Sequence, residues 1–423
     1  MNELKQKFAK NATWTIIGRI FQIGITFITT MLVARFLGPE KYGTITYTYS
    51  YVFIFTSIAS LGLNDIVVKE LLDKNNNKEE VLGTMIGLKT IASIISIGFV
   101  YLIISVVSDS KFVIEITLLQ SLSLLFQEFD TLTYYYQSEL LSKKTAIITI
   151  IAYSLTALFR VIGLINKYGT EWFAFAVSLD FLIVSILTVG LYFKEGFKLK
   201  FNKKIIKPLL TKSYNYIFAG IMINVYSRID TIFLGEMIDE TTVGYYTAAT
   251  TICNAWPFVL QAIIDSARPI IIDLFEKNKE EYKRRFKQLY ASIFYVSLVV
   301  AIVILLFSKL IINILYGADY ALASAPLRIV AFSTAFSYFG VARGTWMQCE
   351  NKIRYEKTIY LFGAIINIIL NFILIKQFGI IGAAIAITLT QFLTNFVFVY
   401  AHPETRENGK LMLDGILLKG VLK

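Results

Sequence analysis

Apolar runs of roughly twenty residues recur from one end of this chain to the other, each long enough to cross a hydrocarbon core about 30 Å thick. Twelve can be read, near 13–34, 42–63, 83–107, 114–135, 145–165, 172–193, 211–234, 243–266, 289–308, 327–348, 358–375 and 379–400. The first carries a polar row. At helical spacing Thr15, Arg19, Gln22, Thr26 and Thr29 share one face, and Ile16, Ile17, Ile20, Phe21, Ile23, Ile25, Phe27 and Ile28 cover the rest. An arginine at the bilayer centre costs about 2.5–3.5 kcal/mol. That face is therefore expected to turn toward protein or water. The run stops at Gly38-Pro39, and the next begins after Gly43.

Composition agrees with this pattern. Of 423 residues 56% are hydrophobic and 17% charged, below the roughly 25% charged content of soluble domains. The expected class is an all-α integral membrane protein of about twelve transmembrane helices in two six-helix lobes. The division expected is 1–200 and 201–400, with a cytoplasmic tail at 401–423. The lysine-rich connection at 194–212 separates the two sets of six. Phe36-Leu37-Gly38 at the end of the first span is matched by Phe233-Leu234-Gly235 at the end of the seventh. Gly43-Thr44 is matched by Gly244-Tyr245. Six spans per half make a parallel repeat about an axis along the membrane normal.

The net charge of +11 raises the question of nucleic acid. Its placement answers otherwise. Basic residues gather in alternate connections, about 29 on one side (from Lys5 to Lys423) against about six on the other. A nucleic-acid binder would collect them on one surface. The asymmetry puts both termini in the cytoplasm, and the inner connections at 194–212 and 268–288 read as amphipathic, interfacial segments. One histidine, His402, and two cysteines, Cys253 and Cys349, at unrelated positions exclude a histidine-based metal centre and give no disulfide pattern. No cofactor is expected. No phosphate-loop motif is present, so transport would draw on an ion gradient, the membrane potential or substrate concentration. No catalytic serine–histidine–acid set can be assembled, and the short outer loops leave no room for a catalytic domain.

The candidate chemistry lies in ionisable groups within spans. The cations are Arg19, Lys89, Arg160, Arg228, Arg328 and Arg343; the anions are Glu128, Asp130, Asp180, Asp230 and Asp265. Several sit on polar rows. These are Gln120, Ser123, Gln127, Asp130 and Tyr134; Thr149, Tyr153, Thr156 and Arg160; Asn224, Ser227, Arg228 and Thr231; and Thr247, Thr250, Asn254, Gln261 and Asp265. Left in lipid, the six cations would cost on the order of 15–20 kcal/mol. Two readings stand at this point: pairing between helices, or exposure to a central cavity. Arg160 and Asp180, on consecutive spans, are the evident pair; Lys89 and Arg343 lie close enough to span ends to snorkel. Arg19 and Arg228 occupy corresponding spans of the two halves and are the best candidates for a cavity. Guanidinium forks take phosphate oxygens bidentately, and Thr, Asn, Gln and Tyr serve sugar hydroxyls. The substrate-binding set expected is Arg19, Gln22, Thr26, Arg160, Asn224, Arg228 and Asn254, with Glu128, Asp130, Asp230 and Asp265 as ion-coupling candidates.

Two stretches carry a family resemblance. Asn11-Ala12-Thr13-Trp14 with Ala34-Arg35-Phe36-Leu37-Gly38-Pro39-Glu40-Lys41-Tyr42-Gly43 resembles the start of polysaccharide-repeat-unit (Wzx-type) flippases. The run Ser227-Arg228-Ile229-Asp230-Thr231-Ile232-Phe233-Leu234-Gly235, followed by Val243-Gly244-Tyr245-Tyr246, is similar to the same family. The resemblance implies a superfamily shared with multidrug (MATE-type) antiporters and lipid II flippases, with two lobes around a cavity that opens alternately to each side. It further implies an undecaprenyl-pyrophosphate-linked oligosaccharide as cargo, moved between leaflets of a bacterial plasma membrane; the carboxylates Glu128, Asp130 and Asp230 leave room for a coupling cation, H+ or Na+. The rival class is a proton- or sodium-coupled drug antiporter, against which stands Arg19 in a first span with no carboxylate. A membrane glycosyltransferase or polymerase is the other alternative, disfavoured by the short outer loops and the missing D-x-D.

Overall fold

A computed structural model describes residues 2–421, and every regular element in that range is helical. The side chain of Lys5 and the whole of Lys423, both counted in the charge pattern, lie outside the described residues. Thirteen helices carry the description. They are α1 (Asn2–Ala59), α2 (Lys78–Val107), α3 (Lys111–Ser121), α4 (Asp130–Ser138), α5 (Ser142–Ile165), α6 (Thr170–Lys194) and α7 (Ile206–Met237). There follow α8 (Glu240–Ala255), α9 (Phe258–Lys277), α10 (Lys279–Leu315), α11 (Ser333–Cys349), α12 (Glu356–Phe392) and α13 (Arg406–Ile416).

Among the described residues, eight helical stretches are long and apolar enough to cross a membrane. A ninth is a pair bent by 49°, Ala318–Val330 with α11. Two of the eight are broken by glycines in conformations that other residues rarely adopt: Gly38 in α1 (φ 78°) and Gly379 in α12 (φ 58°). Each therefore makes two crossings. The eighth expected span appears as α8 and α9, interrupted at Trp256-Pro257. With the bent pair taken as one, this gives the twelve segments read from the sequence.

Grouped by contacts, the chain forms two units, residues 1–37 with 44–228 and residues 38–43 with 229–423. The amino-terminal part of α7, including Asn224 and Arg228, thus belongs to the first unit. That unit has a core at one end of α2, where Leu63, Leu82, Met85, Tyr136 and Tyr192 are buried. The outward face of α2 is the reverse: Ile91, Ile94, Ile95, Phe99, Leu102 and Val106 are exposed in helical register, the surface expected of a lipid-facing helix. The 194–212 connection is not free to lie in an interface along its whole length. Its strand-like stretch rests on the first turns of α2, with the Lys200 N–H donating to the Glu79 carbonyl (3.1 Å) and its ammonium 2.6 Å from the Glu79 carboxylate. A Cβ on Gly83 would lie 2.4 Å from the Lys200 carbonyl oxygen, so glycine permits that approach.

In the second unit the core gathers Phe286, Tyr290, Phe339, Trp346 and Met412. The inner connection expected at 268–288 as an amphipathic segment is helical. α9 runs to Lys277 and α10 starts at Lys279, because Asn278 caps α10 by accepting from the Glu281 N–H at 3.1 Å, with Glu280 and Glu281 in its first turn. The residues past the last span fold as α13 and dock on α10: Lys287 pairs with Asp414 at 2.8 Å, and Asn408 donates to the Tyr290 hydroxyl at 2.8 Å.

Candidate functional site

The first unit holds most of the candidate residues. On α1, Arg19 is exposed, Gln22 donates to the Tyr153 hydroxyl of α5 at 2.6 Å, and the Thr26 hydroxyl is buried without a hydrogen-bond partner. Arg160 of α5 is locked: its guanidinium lies 2.5 Å from the Asp180 carboxylate and donates to the Ala176 carbonyl at 3.4 Å, in a buried setting. It is a structural pair more than an open anion receptor. Arg228 behaves differently. Its guanidinium carbon lies 4.7 Å from the Phe53 ring centroid and 5.9 Å from that of Tyr49, and among the described residues it makes no ion pair. Stacking on a ring face holds the fork in place while leaving its N–H donors unspent.

One cavity of about 210 Å³ lies wholly within this unit. It is lined by Thr56, Ser57, Ser60, Asn64, Lys89, Gln127, Glu128, Asp130 and Asn224. Asn224 closes one wall, its amide donating to the Phe53 carbonyl (3.0 Å) and to the Thr56 (2.8 Å) and Ser57 (2.7 Å) hydroxyls. Those hydroxyls lie on successive residues at the end of α1, so a short polar cluster rather than a periodic row meets α7. Asp130 begins α4 and carries no hydrogen bond or ion pair among the described residues, and the Gln127 side-chain NH₂ is likewise unpartnered. Helix geometry degrades here into a short 3₁₀ turn, Gln127–Phe129, which turns Gln127, Glu128 and Asp130 toward the same space.

Lys89 does not snorkel. Its ammonium lies 3.1 Å from the Glu128 carboxylate, with the two side chains 1% and 0% exposed. The helix that bears it starts at Lys78, several residues before the apolar run does, and Lys89 is buried three turns into it. Arg343 is fully buried as well, donating to the Asn395 side-chain carbonyl at 2.9 Å with its Nε and Nη2 unpartnered. Asn395 stands in a π-helical turn, Leu393–Val397.

The remaining candidates, Asp230, Asn254 and Asp265, belong to the second unit. Asp230 is buried and accepts from the Tyr246 hydroxyl (2.5 Å) and the Thr231 N–H (2.8 Å). Asn254 is exposed; Asp265 is exposed and lies 3.1 Å from the Gln261 amide and 3.7 Å from the Arg268 guanidinium. Sequence reasoning missed Asn64, in a short turn outside any apolar run, and the burial of Lys89. The only signal for the latter was its four-residue spacing from Ser93, which places both on one face of α2.

Fold and site together define a polytopic helical membrane protein of the transporter kind, with charged groups held inside its spans. The chain belongs to the polysaccharide biosynthesis protein family, whose pattern matches residues 8–275. The pattern of the MatE family matches residues 216–373. Among relatives, the probable low-salt glycan biosynthesis flippase Agl15 of Haloferax volcanii is 26% identical over 93% of this chain and 83% of its own length. A putative O-antigen transporter of Shigella flexneri is 23% identical over 89% of this chain and 93% of its own. The fold is similar to that of a solved lipid II flippase, MurJ, described as an inward closed conformation. That match has a TM-score of 0.72 at 13% identity and covers 97% of this chain and 91% of the other.

Proposed function

We propose that this protein flips undecaprenyl-pyrophosphate-linked oligosaccharide repeat units from the inner to the outer leaflet of a bacterial plasma membrane, for cell-surface polysaccharide synthesis. Access to the site alternates between the two faces, both termini are cytoplasmic, and the chain catalyses no covalent step. The observation that carries this reading is the sorting of the intramembrane cations. Lys89 and Arg160 are neutralised by carboxylates within the fold, whereas Arg19 is exposed and Arg228 rests on aromatic faces. Uncommitted guanidiniums suit a pyrophosphate, whose oxygens accept two parallel hydrogen bonds from one fork. Gln22, Thr26 and Asn224 add neutral polar groups for hydroxylated cargo. Relatives named as a glycan flippase and an O-antigen transporter support the same class of cargo. A coupling cation, H+ or Na+, would act at a carboxylate that no cation neutralises, and Asp130 on the cavity wall has that chemistry.

Deletion of the gene tests the reading. Intact lipid-linked repeat units should accumulate on the cytoplasmic leaflet while surface polysaccharide is lost. Unchanged surface polysaccharide would refute it, and accumulation of unpolymerised units on the outer leaflet would point to a polymerase instead.

A further inference from the structure

The Lys89 ammonium occupies a cage of oxygens. It donates to the Asn64 side-chain oxygen (2.9 Å) and the Thr131 hydroxyl (2.9 Å), lies 3.4 Å from the Glu128 backbone carbonyl, and is 3.1 Å from the Glu128 carboxylate. The second carboxylate oxygen of Glu128 accepts from the Ser93 hydroxyl at 2.7 Å, so the carboxylate itself is held in place. Four oxygens, one of them anionic, thus surround one positive centre. The separations are those of an ammonium or a large alkali ion, longer than the 2.3–2.6 Å of a calcium site. The cage borders the cavity of the first unit, which Lys89, Glu128 and Asn64 help to line.

We propose that this is a monovalent-cation site filled by the protein's own tethered cation: the Lys89 ammonium holds the place that a potassium-sized ion would take, and frees the first unit from any need for alkali metal there. Burying a lysine inside a span is costly, and burying Glu128 beside it is tolerable only while the pair stays together. Truncating the lysine leaves a carboxylate, an amide oxygen, a hydroxyl and a carbonyl aimed at one vacated position beside the cavity, where a unit positive charge had been. The inference concerns only the first unit and stands whatever the cargo is.

The experiment is a thermal-unfolding titration of the purified full chain with KCl, NaCl or n-propylammonium chloride, each against choline chloride at equal ionic strength. Wild type should unfold at the same temperature in all four. Lys89→Ala should unfold lower in choline and rise saturably, by several degrees, with potassium or propylammonium. The doubly neutral Lys89→Ala/Glu128→Gln should lose that response. A saturable potassium or sodium effect in wild type that Glu128→Gln removes would overturn the proposal, since the cage would then bind free metal beside the lysine. So would Lys89→Ala that folds but ignores every cation. Recovery of the double variant, with Lys89→Ala unrecoverable in all four salts, would overturn it too. None of these readouts depends on glycan export, so a wrong cargo and a wrong cage are told apart.

Discussion

The guanidinium of Arg228 lies 4.7 Å from the ring centroid of Phe53, with no acidic partner among the described residues, one helical turn from Asn224 on the same face, whose amide nitrogen is committed to Phe53, Thr56 and Ser57. Twenty residues separate Arg160 from Asp180, and there the guanidinium is closed onto a carboxylate at 2.5 Å. Two arginines of the same unit are thus held by opposite devices. A ring face holds a cation for about 0.5–2 kcal/mol without consuming its hydrogen-bond donors; a buried carboxylate consumes them.

Replacing Arg228 or Arg19 with alanine should cut surface polysaccharide by roughly 10- to 150-fold, the effect of losing one charge-assisted hydrogen-bonding partner worth about 1.5–3 kcal/mol. The amount of protein in the membrane should stay near wild type, because neither side chain closes a buried ion pair. Arg228→Lys should also lose activity, since lysine gives up the planar fork and the stacking. Quantifying cell-surface glycan against membrane protein level checks all three.

Arg160→Ala and Asp180→Ala should each destabilise the fold by about 3–5 kcal/mol, because each strands one buried charge. Arg160→Met combined with Asp180→Leu should recover most of that loss. The measurement is the unfolding midpoint of the purified variants; single variants as stable as wild type would remove the locked pair.

Two glycines in matching turns meet reciprocally. A Cβ on Gly43 would lie 1.7 Å from the Glu240 carbonyl oxygen, and one on Gly244 would lie 2.0 Å from the Pro39 carbonyl oxygen. Both collisions are with backbone, so Gly43→Ala or Gly244→Ala should cost at least the roughly 1–3 kcal/mol of an overpacked core. Gly24→Ala, with nothing within 4 Å of its added carbon, should be neutral or stabilising by up to about 1 kcal/mol. Unfolding midpoints of the three variants give the comparison.

Asp130→Asn should reduce export driven by an imposed cation gradient while leaving the unfolding midpoint within a few degrees of wild type, because Asp130 faces the cavity without an ion pair. Asp230→Asn should instead lower the midpoint, since Asp230 is buried and accepts from Tyr246 and Thr231. Equal behaviour of the two variants would erase the distinction.

Much of this architecture is legible in the chain itself. Length and apolarity expose the crossings, and the Gly38-Pro39 stop appears as the broken helix at Gly38. The Arg160–Asp180 pair follows from opposite charges on consecutive spans, which must pack together. Depth was harder to read. Lys89 stands six residues into its apolar run but eleven into its helix, because Lys78, Glu79 and Glu80 form a polar first turn that hydropathy assigns to a loop. Arg343 finds Asn395 fifty-two positions away on a π-helical turn, a partner that only the packing of α11 against the end of the last span reveals. The cavity, too, depends on a 3₁₀ turn at Gln127–Phe129 inside what reads as one regular helix. Periodicity names residues on a face; it does not say how far along the membrane normal each lies.

Transfer of a lipid-linked oligosaccharide across proteoliposomes that contain only the purified chain is the most direct measurement. It is read as the fraction of labelled pyrophosphate-linked sugar that becomes accessible to a membrane-impermeant reagent. Wild-type protein should move the labelled lipid between leaflets, and Arg19→Ala/Arg228→Ala, folded to the same midpoint, should leave it where it started. Equal transfer by the double variant would contradict the role given to the two uncommitted guanidiniums.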